Sequence, residues 1–376
     1  MHCDNYAAGR CRSCTLLEQP YPQQLQGKLA HCQALLADHQ GVAWLPSVPS
    51  AESACRNKAK MVVNGTAQAP LLGITNPQGR GVDLATCPLY PPALQGCFAP
   101  IARIITAADL TPYNVASRRG ELKFVLVTLA EESGELMVRF VLRSEAALPR
   151  LQRELPALQA ALPGLRVVSV NLQPEHKAIL EGEREIILST QQSLTMRVNG
   201  MPLHLRPKSF FQTNSAVAAA LYRQAGAWVE ELNPASLWDL FCGVGGFALQ
   251  CADGRREVTG IELSAEAIAS AEQSRQELGL ERVRFQSLDA AHYTRGGGAP
   301  ELVILNPPRR GIGSELCAFL EAATPTRWII YSSCNSESLA RDLVQMPGWR
   351  LRRARLLDMF PHTPHYEVIT LLERNA

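Results

Sequence analysis

The sequence predicts an α/β protein in which a doubly wound, mainly parallel sheet follows a cysteine-rich α+β N-terminal region. Three observations carry this expectation. From residue 205 to the C-terminus, short apolar strands alternate with helical stretches. Between residues 101 and 204, strand pairs surround one amphipathic helix. Within residues 1–100, Cys3, Cys11 and Cys14 form a C-x7-C-x2-C array before any helical or strand periodicity begins. The expected organisation is therefore a cysteine-rich segment (1–100), an α+β central region (101–204) and an α/β domain (205–376).

Composition sets the limits. The 376 residues are 46% hydrophobic and 19% charged, as in ordinary globular proteins. A formal charge of +2 means that a nucleic-acid partner would be held by local patches rather than by a global field. The eleven cysteines and a start, MHCDNYAAGRC, without a charged n-region or apolar h-region make the cytoplasm the expected compartment. Apolar runs such as KFVLVTLA end in EES, too short for a membrane span. In a reducing compartment, clustered cysteines point to metal or catalysis before disulfides.

Taken in order, the array at Cys3, Cys11 and Cys14 needs a fourth ligand. Cys87, in TCPLY, is the best candidate because proline follows it, with Cys32, Cys55 and Cys97 as competitors. Spacing alone leaves a structural zinc and a [4Fe–4S] cluster both open. Next, ELKFVLVTLA and ELMVRFVLRS flank EESG, a glycine-bearing turn, and read as a hairpin. ALPRLQRELPALQAAL reads as an amphipathic helix despite its prolines, LRVVSVNL as a strand, and REIILST with LTMRVNGMPLHLRP as a further pair. SFFQTNSAVAAALYRQAGAWVEEL is helical from about Asn214. SLWDLF, REVTGIE, RVRFQSLD, ELVILN and RWIIYSS then supply five strands, and WRLRRARLLDMF with HYEVITLLER a closing hairpin. In such a sheet, ligands lie at the carboxyl ends of the strands.

Those ends carry the chemistry. In DLFCGVGGF, Gly243, Gly245 and Gly246 permit a tight turn and close approach to a ligand. Glu262 at the end of the second strand is placed to accept hydrogen bonds from ribose hydroxyls, with Asp289 at the end of the third. The run lacks the full G-x-G-x-x-G, which favours S-adenosylmethionine over a dinucleotide. In ILNPPRRG, two prolines make a rigid shelf from which Asn306 presents an amide to a planar base. Amino-group methyltransferases follow a similar NPP with an aromatic residue; Arg309 stands here instead. Cys334, in YSSCN, presents a thiol on the same edge, and DMFPHTPHYEV brings His362, His365 and Glu367 nearby. Glu367 opens an otherwise apolar strand, a poor place for a solvated charge and a good one for a base.

In this order, SFFQTN, DLFCGVGGFAL, GIELSAEAI, LNPPRRGI, IIYSSCN and DMFPHTPHYEV resemble the signature set of the S-adenosylmethionine-dependent RNA uracil-C5 methyltransferases. The N-terminal cysteines with CRNKAKMVV resemble the branch of that family that carries a [4Fe–4S] cluster and acts on 23S rRNA. The resemblance implies a Rossmann-like methyltransferase domain, an N-terminal iron–sulfur-bearing domain and a cluster on Cys3, Cys11, Cys14 and Cys87. It implies methylation of C5 of an unstacked 23S rRNA uridine, expected to be uridine 747, and argues against tRNA, because the related tRNA enzyme lacks the cysteine array. Cys334 would attack C6, Glu367 would remove the C5 proton, and Asn306 would orient the uracil edge. Gln212, Phe241 and Glu262 would bind S-adenosylmethionine, with the main chain at Gly243, Asp289 and Asn306 as neighbours. No DNA or membrane partner is expected, and a monomer is. Arg56, Lys58, Lys60, Arg118, Arg119 and the RLRRAR run are candidates for phosphate contacts. A non-covalent amino-group methyltransferase and an RNA-binding metal module with a degenerate methyltransferase domain are the rival readings, which Cys334 and Glu367 separate.

Overall fold

The computed structural model describes residues 1–176, 179–294, 296 and 298–375. Each of its two units is assembled from two stretches of chain: Met1–Cys14 with Glu52–Met196, and Thr15–Ala51 with Arg197–Ala376.

In the second unit, the alternation beyond residue 205 builds an eight-stranded sheet. Its order is Ala43–Trp44, Trp349–Leu357, Glu367–Arg374, Trp328–Ser333, Leu302–Leu305, Ser236–Leu240, Glu257–Glu262 and Val283–Ser287. The five strands from Ser236 to Ser333 run parallel, while Glu367–Arg374 runs antiparallel to both of its neighbours. Strand order reverses between Ser236–Leu240 and Leu302–Leu305, and a ligand crevice opens at such a switch point. Helix Ser215–Leu232 starts where the Asn214 side chain accepts from the Val217 amide at 3.3 Å, and it stops at Asn233, in the left-handed region at φ 45°. The core beneath the sheet includes Leu240, Val303, Leu305, Ile329, Tyr331 and Leu372.

Segment Thr15–Ala51 had no reading in the sequence. Its helix, Tyr21–Leu35, turns Gln24, Lys28 and Cys32 inward, one per helical turn. A polar buried stripe gives no hydrophobic period. Strand Ala43–Trp44 is two residues long and pairs in parallel with Trp349–Leu357.

In the first unit, a seven-stranded sheet runs Gly81–Asp83, Pro70–Thr75, Lys58–Gly65, Leu122–Ala130, Glu135–Leu142, Leu165–Leu172 and Arg184–Ile187. Helices Phe98–Ala107 and Leu148–Ala161 share its core, where Phe98, Ile101, Ile105 and Leu151 meet Met61, Val125, Phe140 and Val170. Arg184–Ile187 pairs antiparallel with Leu165–Leu172 at the sheet edge. Arg139 is buried and paired: its Nε lies 2.9 Å and 3.1 Å from the two Glu185 oxygens, and its Nη1 lies 2.9 Å from Glu181 Oε1.

The expected iron–sulfur-bearing N-terminal domain is corrected by the structure. Among the described residues, no group of three or more Cys, His, Asp or Glu side chains could hold a metal ion. Cys3, Cys11, Cys14 and Cys87 are partly buried free thiols, and the Cys11 Sγ donates to Ser13 Oγ at 3.5 Å. Burial first, and then neighbouring Cys87, pushes the Cys14 thiol up to about 11, and burial raises Cys87 as well. Spacing in sequence fixes how near cysteines are along the chain, not which side chains form a group that could hold a metal ion. The competitors do not complete a set: Cys97 donates to Ala93 O at 3.2 Å, and Cys32 belongs to the core of the second unit. The residues present do not fit the group. No helix among the described residues is long and apolar enough to cross a membrane.

Candidate active site

The strand ends of the second unit enclose a cavity of about 590 Å³. Gln212, Phe241, Gly243, Glu262, Asp289, Asn306, Cys334 and Glu367 all line it. The topology explains the convergence: five of these positions follow parallel strands, and Glu367 begins an antiparallel one, so its N-terminus reaches the same edge. Ser333 is paired with Val368 and Leu357 with Glu367, which sets Glu367 level with Cys334.

On one side of the switch point, Phe241 holds a left-handed backbone at φ 66°, and Gly243 follows at φ 54°. For a residue with a Cβ, that conformation costs about 1–2 kcal/mol, and such strain collects at functional sites. Glu262 is fixed by two amides: Gly243 N donates to its Oε2 at 3.2 Å and Ser264 N to its Oε1 at 3.0 Å. Leu263 is 71% exposed in the cavity wall beside it, and Leu288 precedes Asp289 there. Asp289 Oδ1 accepts from the Ala291 and His292 amides at 3.0 Å and 3.1 Å. Immobilised carboxylates beside exposed apolar side chains suit a nucleoside, with its hydroxyls on the carboxylates and its base on the leucines. The donor set thus fits S-adenosylmethionine. Behind the turn, Asp239 is fully buried, accepts from Ala248 N at 2.9 Å, and is raised by burial to about 8.

Glu367, Cys334 and Asn306 line the other half. Glu367 is 1% exposed, and Ser332 Oγ donates to its Oε1 at 2.5 Å. Burial raises its carboxyl to about 7, against the pull of that hydrogen bond. A carboxyl poised there exchanges protons near neutrality, as a general base must. Cys334 is half-buried; burial and the Glu367 charge raise its thiol, while Arg309 acts in the opposite direction. Asn306 lines the cavity beside Pro307 and Pro308, and its backbone amide donates to Leu240 O at 3.4 Å. A thiol, a buried carboxyl and an asparagine therefore line one cavity.

Sequence reasoning missed the support behind the DMFPH loop. Lys28 Nζ donates to Asp358 Oδ1 at 2.6 Å and to Phe360 O at 3.0 Å, and both side chains of the pair are buried. Tyr21 Oη donates to Asp358 Oδ2 at 2.8 Å and accepts from Ser50 N at 2.7 Å. Asn214 Nδ2 in turn donates to Ser50 Oγ at 2.8 Å. The chain of contacts ties the loop bearing Phe360 to the segment bearing Phe210 and Gln212, all three in the cavity wall. Lys28→Met leaves Asp358 without its cation in a dry site and is expected to cost about 3–5 kcal/mol. Urea unfolding measures this, and a loss below about 1 kcal/mol, the size of an exposed pair, would show that the pair is not a structural clamp.

Other candidates are placed elsewhere. His362 is buried and held by Gln24, whose Oε1 accepts from His362 N at 3.0 Å and whose Nε2 lies 3.2 Å from His362 Nδ1. His365 is exposed and stands edge-on to Phe360 at 6.4 Å. The RLRRAR run lies in strand Trp349–Leu357 with several arginines already engaged: Arg353 grips Glu231 at 2.6 Å and 2.7 Å, Arg352 meets Glu373 at 3.0 Å, and Arg355 reaches Gln224 at 2.7 Å. Arg118 and Arg119 are exposed, whereas Lys58 is partly buried and its ammonium is lowered by burial and by nearby Arg139. Phe210, Tyr222, Arg309 and Phe360 also line the cavity. The positions of Phe210, Arg309 and Phe360 in SFFQTN, NPPRR and DMFPH were the available signal.

A family model described as tRNA (uracil-5-)-methyltransferase matches residues 175–375. The chain is 56% identical over 373 residues to the 23S rRNA (uracil(747)-C(5))-methyltransferase RlmC of Yersinia pseudotuberculosis, covering 99% of each chain. It is 55% identical over 375 residues to the protein of the same description from Pectobacterium carotovorum, covering 100% of each. Among solved structures, the Pyrococcus abyssi tRNA (uracil-54, C5)-methyltransferase in complex with S-adenosyl-L-homocysteine matches with a TM-score of 0.80 and 25% identity, over 96% of this chain and 84% of that one.

Proposed function

This chain belongs to the tRNA (uracil-5-)-methyltransferase family, as an S-adenosylmethionine-dependent RNA uracil-C5 methyltransferase of the 23S rRNA type, and we propose that its target is uridine 747 of 23S rRNA. The observation that carries the chemistry is the convergence of Cys334, Glu367 and Asn306 with the glycine turn and Glu262 on one cavity. The full-length relatives described as 23S rRNA enzymes support the choice of RNA. The same chemistry at another 23S rRNA uridine is the second reading. The reaction is placed in the cytoplasm, by a single chain, on an unstacked uridine rather than on DNA.

Bound S-adenosylmethionine supplies an electrophilic methyl group on sulfur; Gln212, Phe241 and Glu262 would hold it, with the Gly243 main chain and Asp289 adjacent. The remaining work falls to the chain. C5 of uracil is a poor nucleophile until the Cys334 thiolate adds to C6, forming the S–C6 bond, shifting the C5–C6 π pair to C4–C5 and placing the negative charge on the carbonyl oxygen O4 as an enolate. Asn306 orients the uracil edge and stabilises that enolate. Once C5 carries the methyl group, Glu367 takes the C5 proton, the double bond re-forms and the S–C6 bond breaks, returning the thiolate.

Mass mapping of 23S rRNA from a strain lacking this protein is expected to show loss of one 5-methyluridine, at position 747, restored by the wild-type gene. Loss at a different uridine would keep the chemistry and move the target; an unchanged map would overturn the reading. Glu262→Ala removes the fixed carboxylate and is expected to weaken S-adenosylmethionine binding roughly ten- to a hundredfold, the size of a lost charge-assisted hydrogen bond. Calorimetry tests this, and unchanged affinity would place the ribose elsewhere.

A further inference from the structure

We propose that Arg309 is a further catalytic residue, the cation that holds the Cys334 sulfur as a thiolate before attack, and that Asn335 is the positioning residue that keeps it there. The inference rests on the uracil-C5 reading above. It starts from a conflict in the site. The nucleophile must be an anion, yet its strand end is half-buried and the nearest acidic neighbour, Glu367, is a buried carboxyl from the adjacent strand. Both features favour the neutral thiol. An opposing charge has to come from another element.

The NPPRRGIG loop supplies it. Arg309 lines the cavity with Cys334 and Glu367, and its charge favours the thiolate against burial and the Glu367 carboxylate. The loop is tied at both ends to the strand and helix that bracket Cys334. At its start, Asn335 Nδ2, from the residue after the nucleophile, donates to Arg309 O at 3.1 Å. Asn335 Oδ1 accepts from Glu337 N at 3.1 Å, which fixes the orientation of the amide. At the far end, Ile312 N donates to Asp342 Oδ2 at 2.9 Å, and Tyr331 Oη donates to the same oxygen at 2.7 Å. Gly311, at φ 87°, is packed so tightly there that a Cβ would lie 2.4 Å from that oxygen. The backbone that carries Arg309 is therefore tied to the strand and helix that bracket Cys334. A guanidinium suits the task because it stays charged and offers donors in a fixed fork.

The step balances without another reagent. The Cys334 S–H bond breaks, the proton passes to water, and the electron pair stays on sulfur facing Arg309. The charge moves to the enolate on attack and returns to sulfur on elimination. Glu367 and Arg309 face the sulfur; Arg310 lines the same cavity, and His365 faces Arg309 from the DMFPH loop, with Lys28 behind it.

The test uses the free full-length enzyme. Iodoacetamide alkylation of Cys334 is followed against pH by mass spectrometry of the peptide that carries it, without RNA or S-adenosylmethionine. Arg309→Met is expected to raise the alkylation midpoint by about 1 pH unit or more, the effect of removing an adjacent opposite charge. Arg309→Lys, which keeps the charge, moves it less, and Asn335→Ala moves it in the same direction as Arg309→Met. An unchanged midpoint in Arg309→Met, with RNA affinity reduced, would make Arg309 a phosphate contact and overturn the proposal. If Arg309→Met fails to fold, a midpoint in Arg309→Lys equal to wild type together with an unmoved one in Asn335→Ala would also overturn it. Since no methylation is read, this outcome is independent of the rRNA map that tests the uracil-C5 reading.

Discussion

Cys334→Ala is expected to bind RNA and S-adenosylmethionine and to transfer no methyl group, with a rate loss on the order of 10⁴-fold or more, as when a covalent nucleophile is removed from an otherwise intact site. The reason is electronic. Without a thiolate on C6, C5 of uracil never acquires the electron pair that takes up the methyl group. Cys334 stands half-buried at a strand end and belongs to neither of the two unit cores, so its removal leaves the fold standing. Filter binding, calorimetry and a tritiated-methyl transfer assay separate the two effects. Measurable turnover by Cys334→Ala, within about a hundredfold of wild type, would show that the reaction does not pass through a covalent intermediate at this residue.

Glu367→Gln is expected to stop the cycle one step later. The methyl group is transferred, the C5 proton stays in place, and RNA remains attached to Cys334 through a denaturation. In the wild-type enzyme, the carboxyl value of about 7 gives the pH side of the effect: the ionised base prevails above it, so elimination slows about tenfold per pH unit below. Stability runs the opposite way. The folded carboxyl lies above its ordinary value of 4.5, so the folded state binds the proton more tightly than the unfolded chain. That stabilisation is present at acid pH and lost as pH rises through about 7. Glu367→Gln, neutral at every pH, is thus expected to be more stable than wild type at pH 8 by about 3 kcal/mol, and no more stable near pH 4.5. Denaturant unfolding at the two pH values checks this, and equal differences at both would mean that Glu367 is not a raised, buried carboxyl.

The large sheet was legible because its strands are short apolar runs such as LVIL and WIIY, punctuated by glycine, proline and acidic residues at their carboxyl ends. That arrangement also made the cavity legible, since residues that follow successive parallel strands meet at one edge. Thr15–Ala51 was not legible. Its helix buries Gln24, Lys28 and Cys32, and their partners Asp358 and His362 lie more than three hundred residues away in the chain. Ion pairs of this kind leave no period in a sequence. The partners of the basic groups were not legible either: Arg352 meets Glu373 and Arg353 meets Glu231, contacts that depend on which elements become neighbours. The cysteine array misled because closeness along the chain does not decide whether side chains form a group that could hold a metal ion, and among the described residues none does. In sequence, Arg309 shows only as the absence of an aromatic residue after NPP, whereas its loop is tied to Asn335 and Asp342, from the segment that follows Cys334.

The central claim is that Cys334 bonds to C6 of the target uracil and is released only when Glu367 removes the C5 substituent as a proton. A 23S rRNA fragment with 5-fluorouridine at position 747 tests it on the unmodified enzyme, because fluorine on C5 cannot leave as a proton equivalent. With S-adenosylmethionine present, the account predicts a one-to-one complex that survives denaturing electrophoresis, with the methylated nucleotide on the Cys334 peptide after digestion. A complex attached at another residue, or normal release of a methylated fragment, would contradict it.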